Sequence, residues 1–116
     1  MRDLAYESAF FKNLEETVAA RSGMNAIPLV HLVEARMTMG AEQYGDTSFM
    51  TDDRDMAAEA KDELADAIAY NLFRLERLMA TGEDHSEEIW HLFESSVLIC
   101  SAEAHVRAAK LARRGI

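Results

Sequence analysis

The sequence predicts an all-α protein. A single Pro and five Gly in 116 residues leave few places for the chain to break regular structure. Apolar residues make up 49% of the chain, and they recur at intervals of three and four rather than in alternation. Cap and stop residues fall at the ends of those periodic stretches. Together these predict four helices and no strands in one four-helix bundle-like domain spanning residues 1–116.

The first helix is predicted over residues 4–21. Asp3 is available as its N-cap, Leu4, Phe10, Phe11, Leu14 and Val18 form its apolar side, and Gly23 follows its end. The second runs from Pro28 to Tyr44, since Pro in a first turn forfeits no intrahelical hydrogen bond and Gly45 supplies a stop. Its stripe is Leu29, Val33, Met37, Gly40 and Tyr44, with Arg36 at the edge. Residues 46–52 read as a turn-rich loop.

The third helix is expected to start with Thr51 or Asp52 as its cap and to continue to about Ala80, ending at Thr81-Gly82. At about 100° per residue, Leu64, Ile68, Leu72, Leu75 and Met79 gather on one side. Glu59, Glu63, Asp66, Tyr70 and Arg77 gather on the other. The fourth helix is expected from about Ser86 to Arg114. Glu87 and Glu88 in its first turn and Lys110, Arg113 and Arg114 in its last suit the helix dipole.

The formal net charge of -9 disfavours binding to nucleic acid or to an anionic membrane. Much of it is concentrated in residues 52–66. Asp52, Asp53, Asp55, Glu59, Asp62, Glu63 and Asp66 stand there against Arg54 and Lys61. Cys100 is the one cysteine, which excludes an intrachain disulfide and suggests a buried structural thiol in a reducing compartment. No apolar run reaches the length of a membrane span, and the first residues lack a signal-peptide core, so a cytoplasmic protein is expected.

Glu59, Glu63 and Asp66 carry the chemistry. Their spacings of four and three put all three carboxylates on one helix face, where each like-charge pair costs a few tenths of a kcal/mol (about 0.2–0.5). A divalent cation would turn that repulsion into attraction, and Mg²⁺ (or Mn²⁺) suits an all-oxygen donor set that also engages a substrate phosphate. The same pattern is also what the solvated face of an amphipathic helix looks like. Glu103 is a different case, because it lies within the apolar stripe formed by Leu92, Ser96, Ile99 and Cys100. A carboxylate there needs a cation, a donor or water. Either it joins the metal shell or it pairs with Arg36 or with Arg107 four residues on. Glu94 is expected on the solvated side with His91 and His105.

Other chemistries lack their parts. Glu88-x-x-His91 has di-iron spacing, but no second copy of the motif exists. No Cys/His cluster suits zinc, and no Gly-rich loop suits a dinucleotide or a P-loop.

The segment Glu59-Ala-Lys-Asp-Glu63-Leu-Ala-Asp66-Ala-Ile-Ala-Tyr70-Asn71-Leu-Phe-Arg-Leu resembles the metal-binding helix of MazG-like all-α nucleoside triphosphate pyrophosphohydrolases. The match lies in the Glu63-x-x-Asp66 element and its apolar continuation, mainly over residues 59–75. The resemblance implies a helical homodimer or homotetramer. It also implies Mg²⁺-dependent attack of water on a nucleoside triphosphate, yielding monophosphate and pyrophosphate, in house-cleaning or nucleotide-pool control.

On this reading Glu59, Glu63, Asp66, Glu103 and Glu34 are the metal ligands. Glu63, between the other two carboxylates, is the general base. Arg36, Lys61, Tyr70 and Asn71 are the residues expected to contact substrate. The chain departs from the family in its preceding helix, which has Glu34 and Glu42 in place of a Glu-x-x-Glu pair. The competing expectation is a non-catalytic helical homo-oligomer that uses the acidic face for interaction.

Overall fold

The computed structural model describes residues 3–45 and 54–112. Within them the chain is all-helical: α1 is Leu4–Ser22, α2 Ile27–Tyr44, α3 Met56–Ala80 and α4 Ser86–Ala112. Two compact units result, Met1–Asp53 with α1 and α2, and Arg54–Ile116 with α3 and α4.

In the first unit, local chemistry sets the helix ends. The Asp3 carboxylate accepts a hydrogen bond from the Tyr6 N–H at 3.0 Å, satisfying one of the orphan donors of the first turn of α1. Gly23 closes the helix at φ 69°, a left-handed conformation that a Cβ would strain. Pro28 lies in the first turn of α2, and the Asn25 side-chain oxygen accepts from the Ile27 N–H at 3.0 Å. Val30, 2% exposed, is the one buried residue among those described. Phe11, Val18 and Met37 are half-buried, whereas Leu4, Phe10 and Leu29 of the expected stripes are exposed.

The second unit is an antiparallel helical hairpin joined through residues 81–85. Two bridges set its register. The Asn71 amide donates to Ser95 Oγ at 3.0 Å and to Ser96 Oγ at 3.2 Å. Toward the open end, the Lys110 ammonium pairs with the Asp55 carboxylate. Sixteen residues separate Asp55 from Asn71, and fourteen or fifteen separate Lys110 from Ser96 and Ser95, so the helices stay in step over about 24 Å.

Along the hairpin, on both sides of the Asn71 bridge, runs a seam of half-buried residues. It contains Leu64, Ile68, Leu75 and Leu78 from α3 and Ile89, Leu92, Ile99 and Val106 from α4. With the half-buried Ser96 and Glu103 included, the α4 positions alternate by three and four residues, the spacing of side-by-side helix packing.

Several expectations are corrected here. The N-cap of α3 is Asp55 rather than Thr51 or Asp52, both of which lie outside the described residues. Asp55 prevails because one carboxylate accepts from the N–H groups of Ala57 and Ala58 and also meets Lys110. The apolar face of α3 is turned toward Asn71 and Leu78. Leu72 and Met79, expected in the stripe, are 50% and 70% exposed. Cys100, expected buried, is an exposed free thiol, because the α4 seam is formed by its neighbours Ser96, Ile99 and Glu103. Glu94 is half-buried rather than solvated. The described part of α4 ends at Ala112, so Arg113 and Arg114 lie outside it. No helix among the described residues is long and apolar enough to cross a membrane.

Candidate functional site

α3 separates its polar chemistry onto two sides. On the side facing away from α4 stand Glu59, Asp62, Glu63 and Asp66, all exposed. Among the described residues, none of these four carboxylates has an ion pair or a hydrogen bond to a side chain. The reason is in the sequence. Residues three and four away from Glu63 are Glu59, Ala60, Asp66 and Ala67, so no cation occupies a neighbouring helical position. One turn beyond Asp66 the same side becomes aromatic. Tyr70 and Phe73 are 72% and 53% exposed, and their rings meet edge to face with centroids 6.3 Å apart. Arg74 and Arg77 follow, and with Tyr70, Phe73 and Leu78 they line an open groove of about 550 Å³.

The side of α3 facing α4 has the opposite character. Lys61, Glu103, Arg107 and Lys110 line a cleft of about 250 Å³ at the open end of the hairpin. The Glu103 carboxylate accepts from the Arg107 guanidinium at 3.0 Å, and its side chain is 25% exposed against 64% for Arg107. This is the pairing four residues on, one of the two roles the sequence left open for Glu103. Its setting is basic rather than acidic, because the cleft places it with Lys61 and Arg107. Lys61 therefore stands on the α4 side and not among Glu59, Glu63 and Asp66. Asn71 likewise turns into the seam, with its amide occupied by Ser95 and Ser96.

The Asp55 carboxyl is held below its ordinary value of 3.8, first by the hydrogen bond from Lys110 and then by the backbone N–H groups of Ala58 and Ala57. Asp84 is also lowered, first by the backbone N–H of Ser86 and then by its hydroxyl, as suits a carboxylate at a helix entrance. At that entrance His85 contacts Glu88 at 3.3 Å and Thr81 Oγ1 at 2.8 Å, so Glu88 is joined to His85 rather than to His91.

Glu34 and Arg36 are exposed residues of α2, in the first unit. Of the expected site, the second unit collects Glu59, Glu63 and Asp66 on one face, with Tyr70 on the next turn. Among the described residues, no group of three or more His, Cys, Asp or Glu side chains is arranged to hold a metal ion. The exposed carboxylates nonetheless have the all-oxygen chemistry of a Mg²⁺ site. That ion keeps several waters and takes only one or two carboxylates together with substrate phosphate, so a preformed three-ligand cage is not required.

Sequence reasoning missed the Asn71–Ser95/Ser96 bridge and the Asp55–Lys110 pair. The available signal for the first was a polar residue at a seam position on each helix. No protein-family model, curated protein or solved structure matches this chain.

Proposed function

We propose that the protein is a Mg²⁺-dependent nucleoside triphosphate pyrophosphohydrolase that works as a homo-oligomer, with the outer face of α3 as its metal-binding element. The observation that carries this reading is the set of exposed, unpaired carboxylates Glu59, Glu63 and Asp66 on one face of α3. Like charges left without counter-ions at helical spacing weaken the helix, and a site for a cation gives that arrangement a purpose. Glu59, Glu63 and Asp66 are the residues that would hold Mg²⁺, or Mn²⁺ in its place. A bound ion of this kind neutralises phosphate charge and polarises a water. Glu63, with a carboxylate on the turn either side of it, would accept the proton of the attacking water. The P–O bond to the leaving pyrophosphate breaks as the water oxygen bonds to the α-phosphorus, giving monophosphate and pyrophosphate.

Glu103, satisfied by Arg107, and Asn71, satisfied by the serines, have structural roles in this reading. The absence of a Glu-x-x-Glu pair from α2 leaves room for a second subunit to complete the ligand set. Large apolar side chains exposed on both units, among them Leu29, Leu32, Trp90 and Phe93, also favour assembly.

A second reading has its own observation. That same apolar exposure, with no cation-ready ligand group among the described residues, suits a non-catalytic helical interaction module. Incubation with a panel of ribo- and deoxyribonucleoside triphosphates and Mg²⁺ or Mn²⁺, following pyrophosphate release, separates the two. Turnover of at least one nucleotide, abolished by Glu63→Gln, is expected; no turnover of any would leave the interaction module.

A further inference from the structure

The cleft at the open end of the hairpin continues into an apolar hollow. Lys61, Glu103 and Arg107 line both the cleft of about 250 Å³ and an adjoining one of about 340 Å³. Past those three residues the second hollow is walled by Leu64, Ala65, Ile68 and Ile99, with the exposed Cys100 also lining it. Space is left because α3 presents Ala57, Ala58 and Ala65 here, whose side chains are too short to fill it. The antiparallel helices grade in the same direction. From Lys61 to Ile68 is seven residues toward the closed end, and from Arg107 to Ile99 is eight, also toward the closed end. A charged mouth and an apolar floor therefore lie about 10–12 Å apart.

Charge at the mouth is unbalanced. Arg107 pairs with Glu103, and Lys110 pairs with Asp55. Among the described residues, the Lys61 ammonium has no ion pair. Its positions three and four away are Ala57, Ala58, Leu64 and Ala65, so its own helix offers it no acid. Glu59, Asp62 and Glu63 are turned about 100° or more from it around α3. Arg54 lines the next hollow outward, with Asp55 and Lys110. Lys61, Arg107 and Lys110 against Glu103 and Asp55 leave the mouth one positive charge in excess. Arg107 also keeps N–H donors free after its bond to Glu103. One excess charge matches a monoanion, whereas a phosphate ester or pyrophosphate brings more negative charge than the mouth can meet.

We propose that this cleft binds a small aliphatic monocarboxylate, with its head between Lys61 and Arg107 and its chain along Leu64, Ala65, Ile68 and Ile99. The ammonium and guanidinium supply charge-assisted hydrogen bonds to the carboxylate, and burial of the chain supplies the apolar contribution. At about 30 Å³ per non-hydrogen atom, the 340 Å³ hollow holds roughly ten, the size of an eight-carbon acid. The occupant ties α3 to α4 between the Asp55–Lys110 and Asn71–serine bridges. Glu59, Glu63 and Asp66 face away from this cleft and stay open as ligands. The site is therefore compatible with the hydrolase reading and does not rest on it.

Calorimetric titration of the full chain with octanoate tests the site. One octanoate per chain should bind, with a Kd of about a millimolar or tighter. K61M removes the unpaired charge without breaking an ion pair, and should weaken binding about tenfold. Octan-1-ol, which lacks the charge, should bind about tenfold more weakly than octanoate. A65W, at an exposed helical position, should fill the hollow and abolish binding, while K12M on α1 should leave it unchanged. Pyrophosphate should not displace octanoate. Independently of any variant, alkylation of Cys100 by iodoacetamide should slow about fivefold or more at a tenfold excess of octanoate over Kd. Absence of saturable binding, wild-type affinity in K61M or A65W, equal affinity for octan-1-ol, an equal loss in K12M, or unprotected Cys100 would each overturn the proposal. Displacement by pyrophosphate would overturn it in favour of a phosphate site.

Discussion

Replacing Asn71 by Ala removes the polar bridge at the centre of the α3–α4 seam. The Asn71 amide donates to two hydroxyls, at 3.0 and 3.2 Å, in a half-buried setting. A net intramolecular hydrogen bond contributes about 0.5–1.5 kcal/mol, and both are lost at once. Ser96 Oγ is not stranded, since it donates to the Leu92 carbonyl at 3.0 Å. Partial exposure also lets water reach the vacated site, so the cost falls toward the lower end, about 1–2 kcal/mol. Urea unfolding followed by helical circular dichroism reads this directly, provided protein concentration is held constant so that assembly does not shift the midpoint. Adding Ser95→Ala to Asn71→Ala should cost little more, because the partner is already gone; that non-additivity is the signature of a shared contact. A loss below about 0.3 kcal/mol, or full additivity of the two substitutions, would refute the role assigned to Asn71.

Two further perturbations follow from the open end of the hairpin. The folded Asp55 carboxyl titrates below its ordinary 3.8, so its stabilising contribution is complete above that pH and is lost as pH falls through the depressed folded value. Lys110→Gln should therefore lower stability at neutral pH, with the gap to wild type closing only below about pH 3.8, as measured by acid unfolding curves. Glu103→Gln breaks the pair with Arg107 and should cost about 0.3–0.5 kcal/mol while leaving Mg²⁺ affinity unchanged. A gain in stability together with weaker metal binding would return Glu103 to the ligand set.

Much of the helical architecture was legible because its determinants are local. Asp3, Gly23 and Gly45 act within a turn of themselves, and each performs the function its position predicts. The start of α3 was misplaced because several acidic residues in succession offer the same cap chemistry. The choice of Asp55 is reinforced by Lys110, which lies 55 positions away in sequence. Periodicity identified the apolar side of α3 but not its rotation. Leu72 and Asn71 compete for the seam, and the hydrogen bonds to Ser95 and Ser96 favour Asn71. Cys100 shows the related limit, since an apolar stripe says which side is sticky and not whether anything covers it. The carboxylate face was fully visible in the spacing of Glu59, Glu63 and Asp66.

The central claim is that these carboxylates hold a divalent ion, and the thermal shift caused by Mg²⁺ in wild type and in Glu63→Gln tests it most directly. An ion that binds only the folded protein stabilises it by about 2.7 kcal/mol at a hundredfold excess over Kd. The account predicts a clear rise in Tm for wild type and for Glu16→Gln, an exposed position on α1, and loss of most of that rise in Glu63→Gln. The metal-free Glu63→Gln protein should melt no lower than wild type, because repulsion from Glu59 and Asp66 is relieved. Equal Mg²⁺ shifts in wild type and Glu63→Gln would contradict the claim and leave the acidic face of α3 without a metal.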